Sequence, residues 1–283
     1  MARGTALICL LAVSSCSVLL FASKPASPPS FIKYRDAART VPSGALRRPL
    51  PYESLPIYYE RSWTADQSRQ GTSFVVDPKG AWATAGHVTD HCAAIRFVVN
   101  AQIMPPVAAP AVALGEDISL ITAGLQSTAA LSIASGTPLP GATGYHMGFP
   151  MGSPGLVGSR LLGKTSAVRH AGQNGVVLAW LEEWRTEEMT DELDGLSGGP
   201  VLNAKGQVVG IVSMASERRG RILTAMPAAI SRWLSAEGAT RDARYAAPIA
   251  DRRAAVSRLQ FFINHGLIRQ VYCDARLPPR QGY

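Results

Sequence analysis

The chain has 283 residues, of which 47% are hydrophobic and 17% charged. That is enough apolar material for a sizeable core and too little charge for a solvated disordered chain or a charge-laced coiled coil. The formal net charge of +8 raises the question of nucleic acid or an anionic membrane, but it divides as +2 over residues 1–24, −1 over 25–216 and +7 over 217–283, a near-neutral body with an arginine-rich tail.

Residues 1–23 form a targeting segment. Arg3 precedes the uncharged run Thr5–Ala22, which exceeds the apolar core of a secretory signal and is just long enough to span a bilayer. Bulky Leu20-Phe21-Ala22 offers no small-x-small cleavage site. A signal-anchor, a cleaved signal peptide and lipid attachment at Cys16, in Val13-Ser14-Ser15-Cys16, stay open. All three export the folded part, to the periplasm, to the periplasmic face of the inner membrane or, after cleavage, to the medium.

Residues 24–56 carry Pro25, Pro28, Pro29, Pro42, Pro49, Pro51 and Pro56 at their end, an extended linker. From 57 to 236 short apolar runs alternate with Gly, Pro and Asp. Ser73–Val76, Asp77-Pro78-Lys79-Gly80 and Ala81–Thr84 read as a hairpin, as do Val201-Leu202, Asn203–Gly206 and Val208–Val212. Many short strands point to a sandwich or barrel rather than alternating βα units. Helix signals come late. One is Pro227–Leu234, with Pro in its first turn; the other is Asp251–Leu267, with Ala255, Leu259, Phe262 and Ile263 near one face. Residues 237–283 read as a basic C-terminal extension packed on the barrel.

The exported part keeps two of the four cysteines, Cys92 and Cys273. An even number in an oxidising compartment suggests a disulfide that ties the tail to the body; two separate buried thiols are the alternative. Neither has a second ligand pair beside it, so no metal or cofactor is expected.

Gly195-Leu196-Ser197-Gly198-Gly199-Pro200 is the strongest local signal. Glycines let the backbone curl so that the Gly195 and Ser197 amides face one spot, where two such donors stabilise the oxyanion of a tetrahedral intermediate. A serine needs a base to become a nucleophile. Of His87, His91, His146, His170 and His265, only His87 stands at the end of an apolar strand on a small-residue turn, Ala83-Thr84-Ala85-Gly86-His87-Val88. Asp117, in Gly115-Glu116-Asp117-Ile118-Ser119-Leu120-Ile121, is an acid entering a buried strand, a costly place for an unpaired charge; a histidine that becomes imidazolium would explain it.

The order His, Asp, Ser with these three strings resembles the chymotrypsin/trypsin-like serine proteases, most of all the bacterial Deg/HtrA-type exported peptidases. Gly71–Val76 resembles that group's first barrel strand, Met147-Gly148-Phe149-Pro150-Met151-Gly152 its turn into the second barrel, and Leu223–Pro227 the strand before its C-terminal helix. The resemblance spans roughly residues 70–235. It implies an all-β fold of two six-stranded antiparallel barrels, a cleft between them, a C-terminal helix and here a short helical extension. It also implies His87 as general base, Asp117 as its orienter, Ser197 as nucleophile, and Gly195 with Ser197 as oxyanion hole.

Two departures matter. The residues after 235 are too few for the peptide-binding domain that follows the barrels in Deg-type enzymes. Leu196 stands where digestive relatives place an acid that pairs with a freed N-terminus, so activation by N-terminal cleavage is not expected. The fold's usual geometry puts Asp191 at the base of the primary pocket, with Ser213, Met214, Ala215, Thr224, Ala225 and Met226 as walls. An acid there would favour Arg or Lys before the scissile bond. Asp191 also belongs to a run of Glu182, Glu183, Glu187, Glu188, Glu192 and Asp194, which reads equally as a solvated loop and matches no calcium loop.

The expected function is a serine endopeptidase, exported or membrane-anchored through residues 5–22, acting on protein or peptide substrates. The alternative is a catalytically silent protease-fold adaptor at the membrane surface. The arginines of the tail lie among apolar residues without aromatic stacking platforms, so nucleic acid is not expected as a partner. Oligomeric state is left open.

Overall fold

A computed structural model describes residues 67–107, 111–168, 174–189, 192–216, 220–239 and 244–275, and the backbone of two short strands at 34–36 and 58–59. The targeting segment, most of the linker, Asp191 and His170 lie outside the described residues. Among those described, no helix is long and apolar enough to cross a membrane.

Strands β1 (Tyr34–Asp36) and β2 (Tyr58–Tyr59) precede the first continuous part. There β3 (Arg69–Asp77), β4 (Ala81–Ala85), the one-turn helix α1 (Gly86–Thr89), β5 (Ala94–Val99), β6 (Gln102–Pro106), β7 (Val112–Gly115) and β8 (Ile118–Thr122) follow in order. After the short β9 (Ala130–Leu131) come β10 (Thr143–Gly148), β11 (Gly155–Val168), β12 (Asn174–Thr186), β13 (Pro200–Leu202), β14 (Val208–Ser216) and β15 (Arg221–Ala225). The chain ends with α2 (Ala228–Ala236), β16 (Arg244–Tyr245), α3 (Arg252–Asn264) and β17 (Ile268–Asp274).

The expected hairpins form where short side chains replace missing backbone partners. Between β3 and β4, Asp77 Oδ1 accepts the Lys79 N–H at 2.9 Å. Between β13 and β14, Asn203 Oδ1 accepts from Lys205 and Gln207 N–H at 2.9 and 3.0 Å. Such Asx turns are how these residues nucleate reversals.

Six strands, in the order β12-β15-β14-β13-β10-β11, close into a barrel through the β11–β12 pairing. Register shifts at Gly158/Ser159 and Leu161/Gly163 interrupt that long hairpin, as strands that bend round a barrel require. Val157, Leu161, Leu178, Trp180, Leu193, Leu196 and Val201 fill its core. The other sheet runs β6-β5-β17-β3-β4-β8-β7. Its outer members β6 and β7 are consecutive in sequence. Taken as one interrupted strand, they return the sheet on itself as a second six-stranded ring. Phe74, Trp82, Phe97, Leu120 and Ile121 are buried in it, with the Trp82 and Phe97 rings 4.9 Å apart. The architecture is that of a chymotrypsin-like double barrel.

The extension departs from its expected place. Rather than lying on a finished barrel, its β17 is threaded through the first one, antiparallel to β3 on one side (Phe74↔Ile268, Arg69↔Cys273) and to β5 on the other (Ile95↔Cys273, Val98↔Gln270). A Cys92–Cys273 disulfide joins this strand to the segment after α1. The cysteine pair ties the tail to the body, but nothing in the sequence gives the strand register on either side of Ile268–Asp274. Helix α3 is capped by Asp251, whose Oδ1 accepts the Ala254 N–H at 2.8 Å, and it buries Ala255, Leu259 and Phe262. Ile263, placed on the same face by the periodicity, is only partly buried.

Three of the tail's arginines are packed against aromatic rings. Arg252 lies 5.3 Å from the Trp184 ring, Arg258 5.0 Å from Tyr245 and Arg269 5.8 Å from Trp82, cation–π geometry that desolvated guanidinium groups favour. Burial lowers the pKa of Arg258 and Arg269.

Candidate active site

The strand β4 ends at Ala85 and the chain turns into α1, which carries His87. Three contacts hold that turn to Asp117, in the tight connection between β7 and β8. The Gly86 N–H donates to the Asp117 carbonyl at 3.0 Å. The His87 N–H donates to Asp117 Oδ1 at 2.9 Å. The His87 ring places Nδ1 3.0 Å from Oδ2 and 3.1 Å from Oδ1. A carboxylate only accepts, so Nδ1 carries a proton; in the neutral ring this leaves Nε2 as the acceptor. Asp117 is 4% exposed and the His87 side chain 18%, so the carboxylate is buried while the ring reaches the surface. Gly115, Glu116 and Asp117 have φ of 79°, 53° and 60°. Three successive left-handed residues make a strained turn, of the kind that persists where surrounding contacts over-determine it.

A fourth contact was not foreseen. The hydroxyl of Ser213, on β14, donates to Asp117 Oδ2. Ser213, expected as a pocket wall, uses its buried hydroxyl to orient the carboxylate. Thr224, expected beside it, is also buried, and its Oγ1 accepts the indole N–H of Trp180 at 2.9 Å. Buried hydroxyls must find partners, and which partner is a matter of folded geometry. Of the other expected walls, Met214 and Met226 are half-buried and Ala225 is buried.

Ser197 lies in a turn built from successive reversals, Leu196 N–H to Leu193 O and Gly199 N–H to Leu196 O, both 2.9 Å. Gly195 and Gly198 have φ of 95° and 85°. A side chain at Gly198 would collide with the Thr72 carbonyl, the Thr84 hydroxyl and the Ala85 nitrogen. That close approach sets the serine turn against the strand end that carries His87. Contacts run from one to the other: Gly198 N–H donates to Val212 O at 2.8 Å, Ser213 follows Val212, and Ser213 meets Asp117. Among the described residues, neither the Gly195 nor the Ser197 N–H is spent on a protein acceptor.

The acidic run before this turn is thinner than its sequence suggests. Glu182 is buried against Arg185, with contacts of 2.5 and 2.6 Å, and Glu183 pairs with Arg160 at 2.7 Å. Glu187, Glu188, Glu192 and Asp194 are exposed. No group of three or more His, Cys, Asp or Glu among the described residues could hold a metal ion. Among the remaining histidines, His265 caps α3 with Nδ1 2.8 Å from the Phe261 carbonyl. His146 is fully buried, with Nε2 2.7 Å from Ser159 Oγ, and desolvation lowers its pKa to about 3.

Residues 71–211 match the trypsin-like peptidase domain family. The chain belongs to the trypsin-like peptidases, serine proteases of the chymotrypsin fold. Similar solved structures include the active form of the Rv3671c protease from M. tuberculosis, at 20% identity and a TM-score of 0.48 over 60% of this chain and 74% of that one. The MamO protease domain from Magnetospirillum magneticum gives 18% identity and a TM-score of 0.45 over 58% and 94%. The serine endoprotease from Yersinia pestis gives 21% and 0.39 over 59% and 56%. No curated protein sequence matches the chain.

Proposed function

We propose that this protein is an endopeptidase that works by acyl transfer through Ser197, outside the cytoplasm and tethered or delivered by its N-terminal segment. The observation that carries the reading is the buried Asp117 carboxylate held on His87 Nδ1, within a continuous set of contacts that reaches the Ser197 turn. His87 Nε2 takes the Ser197 hydroxyl proton as Oγ bonds to the scissile carbonyl carbon, and Asp117 stabilises the imidazolium that forms. The carbonyl oxygen becomes an oxyanion facing the Gly195 and Ser197 N–H groups. As the C–N bond breaks, His87 returns the proton to the leaving amine. Water, deprotonated by the same ring, then releases the acid product and restores Ser197.

Purified full-length protein should cleave members of a peptide library internally, and the Ser197→Ala variant should leave the library intact. Equal cleavage by wild type and variant would contradict the reading.

A further inference from the structure

The proposed oxyanion hole depends on a glycine, the residue whose backbone rotates most freely. Leu196, fully buried beside Leu193 and Met189, brings no charge to the turn, so its shape rests on packing and hydrogen bonds. Two peptide planes flank the Gly195 Cα. The Asp194 carbonyl, on the first plane, accepts the Met151 N–H at 2.6 Å. In a trans peptide the N–H points opposite to its carbonyl, so this contact aims the Gly195 N–H away from Met151. The Gly195 carbonyl, on the second plane, accepts the Thr72 hydroxyl at 2.7 Å. With both planes pinned, Gly195 cannot rotate.

Thr72 does more than this. It is fully buried on β3, in the other barrel. While its hydroxyl donates to Gly195, its oxygen accepts the Phe149 N–H at 3.0 Å. Its own N–H donates to the Ser197 carbonyl at 2.8 Å, and its carbonyl accepts the Thr84 hydroxyl at 2.7 Å. One side chain thus fastens the serine turn to the Phe149–Gly152 turn, while its backbone fastens the same serine turn to the strand pair that ends at His87. The Phe149–Gly152 turn is the one that presents Met151, itself in the left-handed region at φ 49°.

We infer that Thr72 is a positioning residue that holds the oxyanion hole in its working shape, by clipping the Gly195–Ser197 turn to the Phe149–Gly152 turn across the two barrels. The inference rests on the proposed serine-peptidase reading and adds a residue that never touches substrate.

Thr72→Val keeps the side-chain shape and removes the hydroxyl. Loss of one oxyanion donor typically lowers kcat by about 10²–10³-fold; indirect loss through Thr72 should lower it by about 10–10²-fold, with KM changed less than about threefold. Thr72→Ser retains the hydroxyl and should stay within about threefold of wild type. A peptide aldehyde, whose adduct with Ser197 forms an oxyanion, should weaken in parallel with kcat/KM. Binding of an unreactive peptide to Ser197→Ala should not change when Thr72→Val is added. If Thr72→Val does not fold, Gly148→Ala takes its place, because the new Cβ would collide with Thr72 Oγ1 and should produce the same kcat loss.

Wild-type kcat in Thr72→Val, equal losses in the Val and Ser variants, or an unchanged aldehyde affinity would each overturn the inference while leaving the peptidase reading standing. A wild-type protein that neither cleaves peptides nor reacts with the aldehyde would overturn both.

Discussion

The proposed chemistry turns on His87. Its ring is held on one side by a buried carboxylate that itself receives a backbone N–H and the Ser213 hydroxyl, so replacing either the base or its orienter should cost far more in rate than in stability. His87→Ala is expected to lower kcat/KM by at least about 10³-fold with a melting temperature close to wild type, measured by peptide hydrolysis and thermal unfolding. Ser213→Ala should cost about tenfold, since it loosens Asp117 without removing it. His146 has the opposite profile, affecting stability and not rate. Its folded pKa of about 3 lies below the ordinary value of 6.5, so between those values the unfolded chain binds a proton that the folded chain refuses. Stability therefore falls as pH drops from about 6.5 to about 3 and the penalty levels off below that. In His146→Phe the melting temperature should decline less steeply over the same interval. An identical pH profile would show that another group governs acid unfolding.

Among the elements, β17 holds the first barrel together. Its two neighbours, β3 and β5, flank the β4–α1 segment in sequence, and a disulfide ties it to Cys92, five residues beyond His87. Deleting residues 267–283 should abolish peptide hydrolysis although His87, Asp117 and Ser197 all remain, because the first barrel loses an interior strand. Circular dichroism and thermal unfolding would reveal that loss as a lower melting temperature. Replacing both cysteines with serine is expected to be milder, about 2–5 kcal/mol of stability. Near-wild-type activity in the truncated chain would contradict the placement of β17. The local elements here were legible from sequence. The hairpins at 73–84 and 201–212, helix α2 and the apolar face of α3 follow from turn residues, proline placement and periodicity. The partner of β17 was not, because pairing across so much sequence is decided by the whole fold.

The same distinction holds at the scale of the whole molecule. Three short strings point to His87, Asp117 and Ser197, because each needs a special local backbone that leaves a mark in the sequence. Thr72 and Ser213 carry no such mark: their hydroxyls acquire meaning only when two barrels bring distant strands together. Net charge behaves likewise. The net charge of +8 raises the question of a binding surface, and the linear sequence places most of it on the arginines of the tail. In the fold, Arg252, Arg258 and Arg269 stack on Trp184, Tyr245 and Trp82, so the extension reads as part of the peptidase body. Raising salt should therefore leave the melting temperature of the protein little changed, since stacked and partly desolvated pairs are weakly screened.

The most direct test of the account is reaction of the full-length chain with a fluorophosphonate, followed by mass spectrometry of the labelled peptides. The account predicts one stoichiometric adduct on Ser197, absent in Ser197→Ala and strongly slowed in His87→Ala. Folded protein that takes no label, or takes it on another residue, would contradict it.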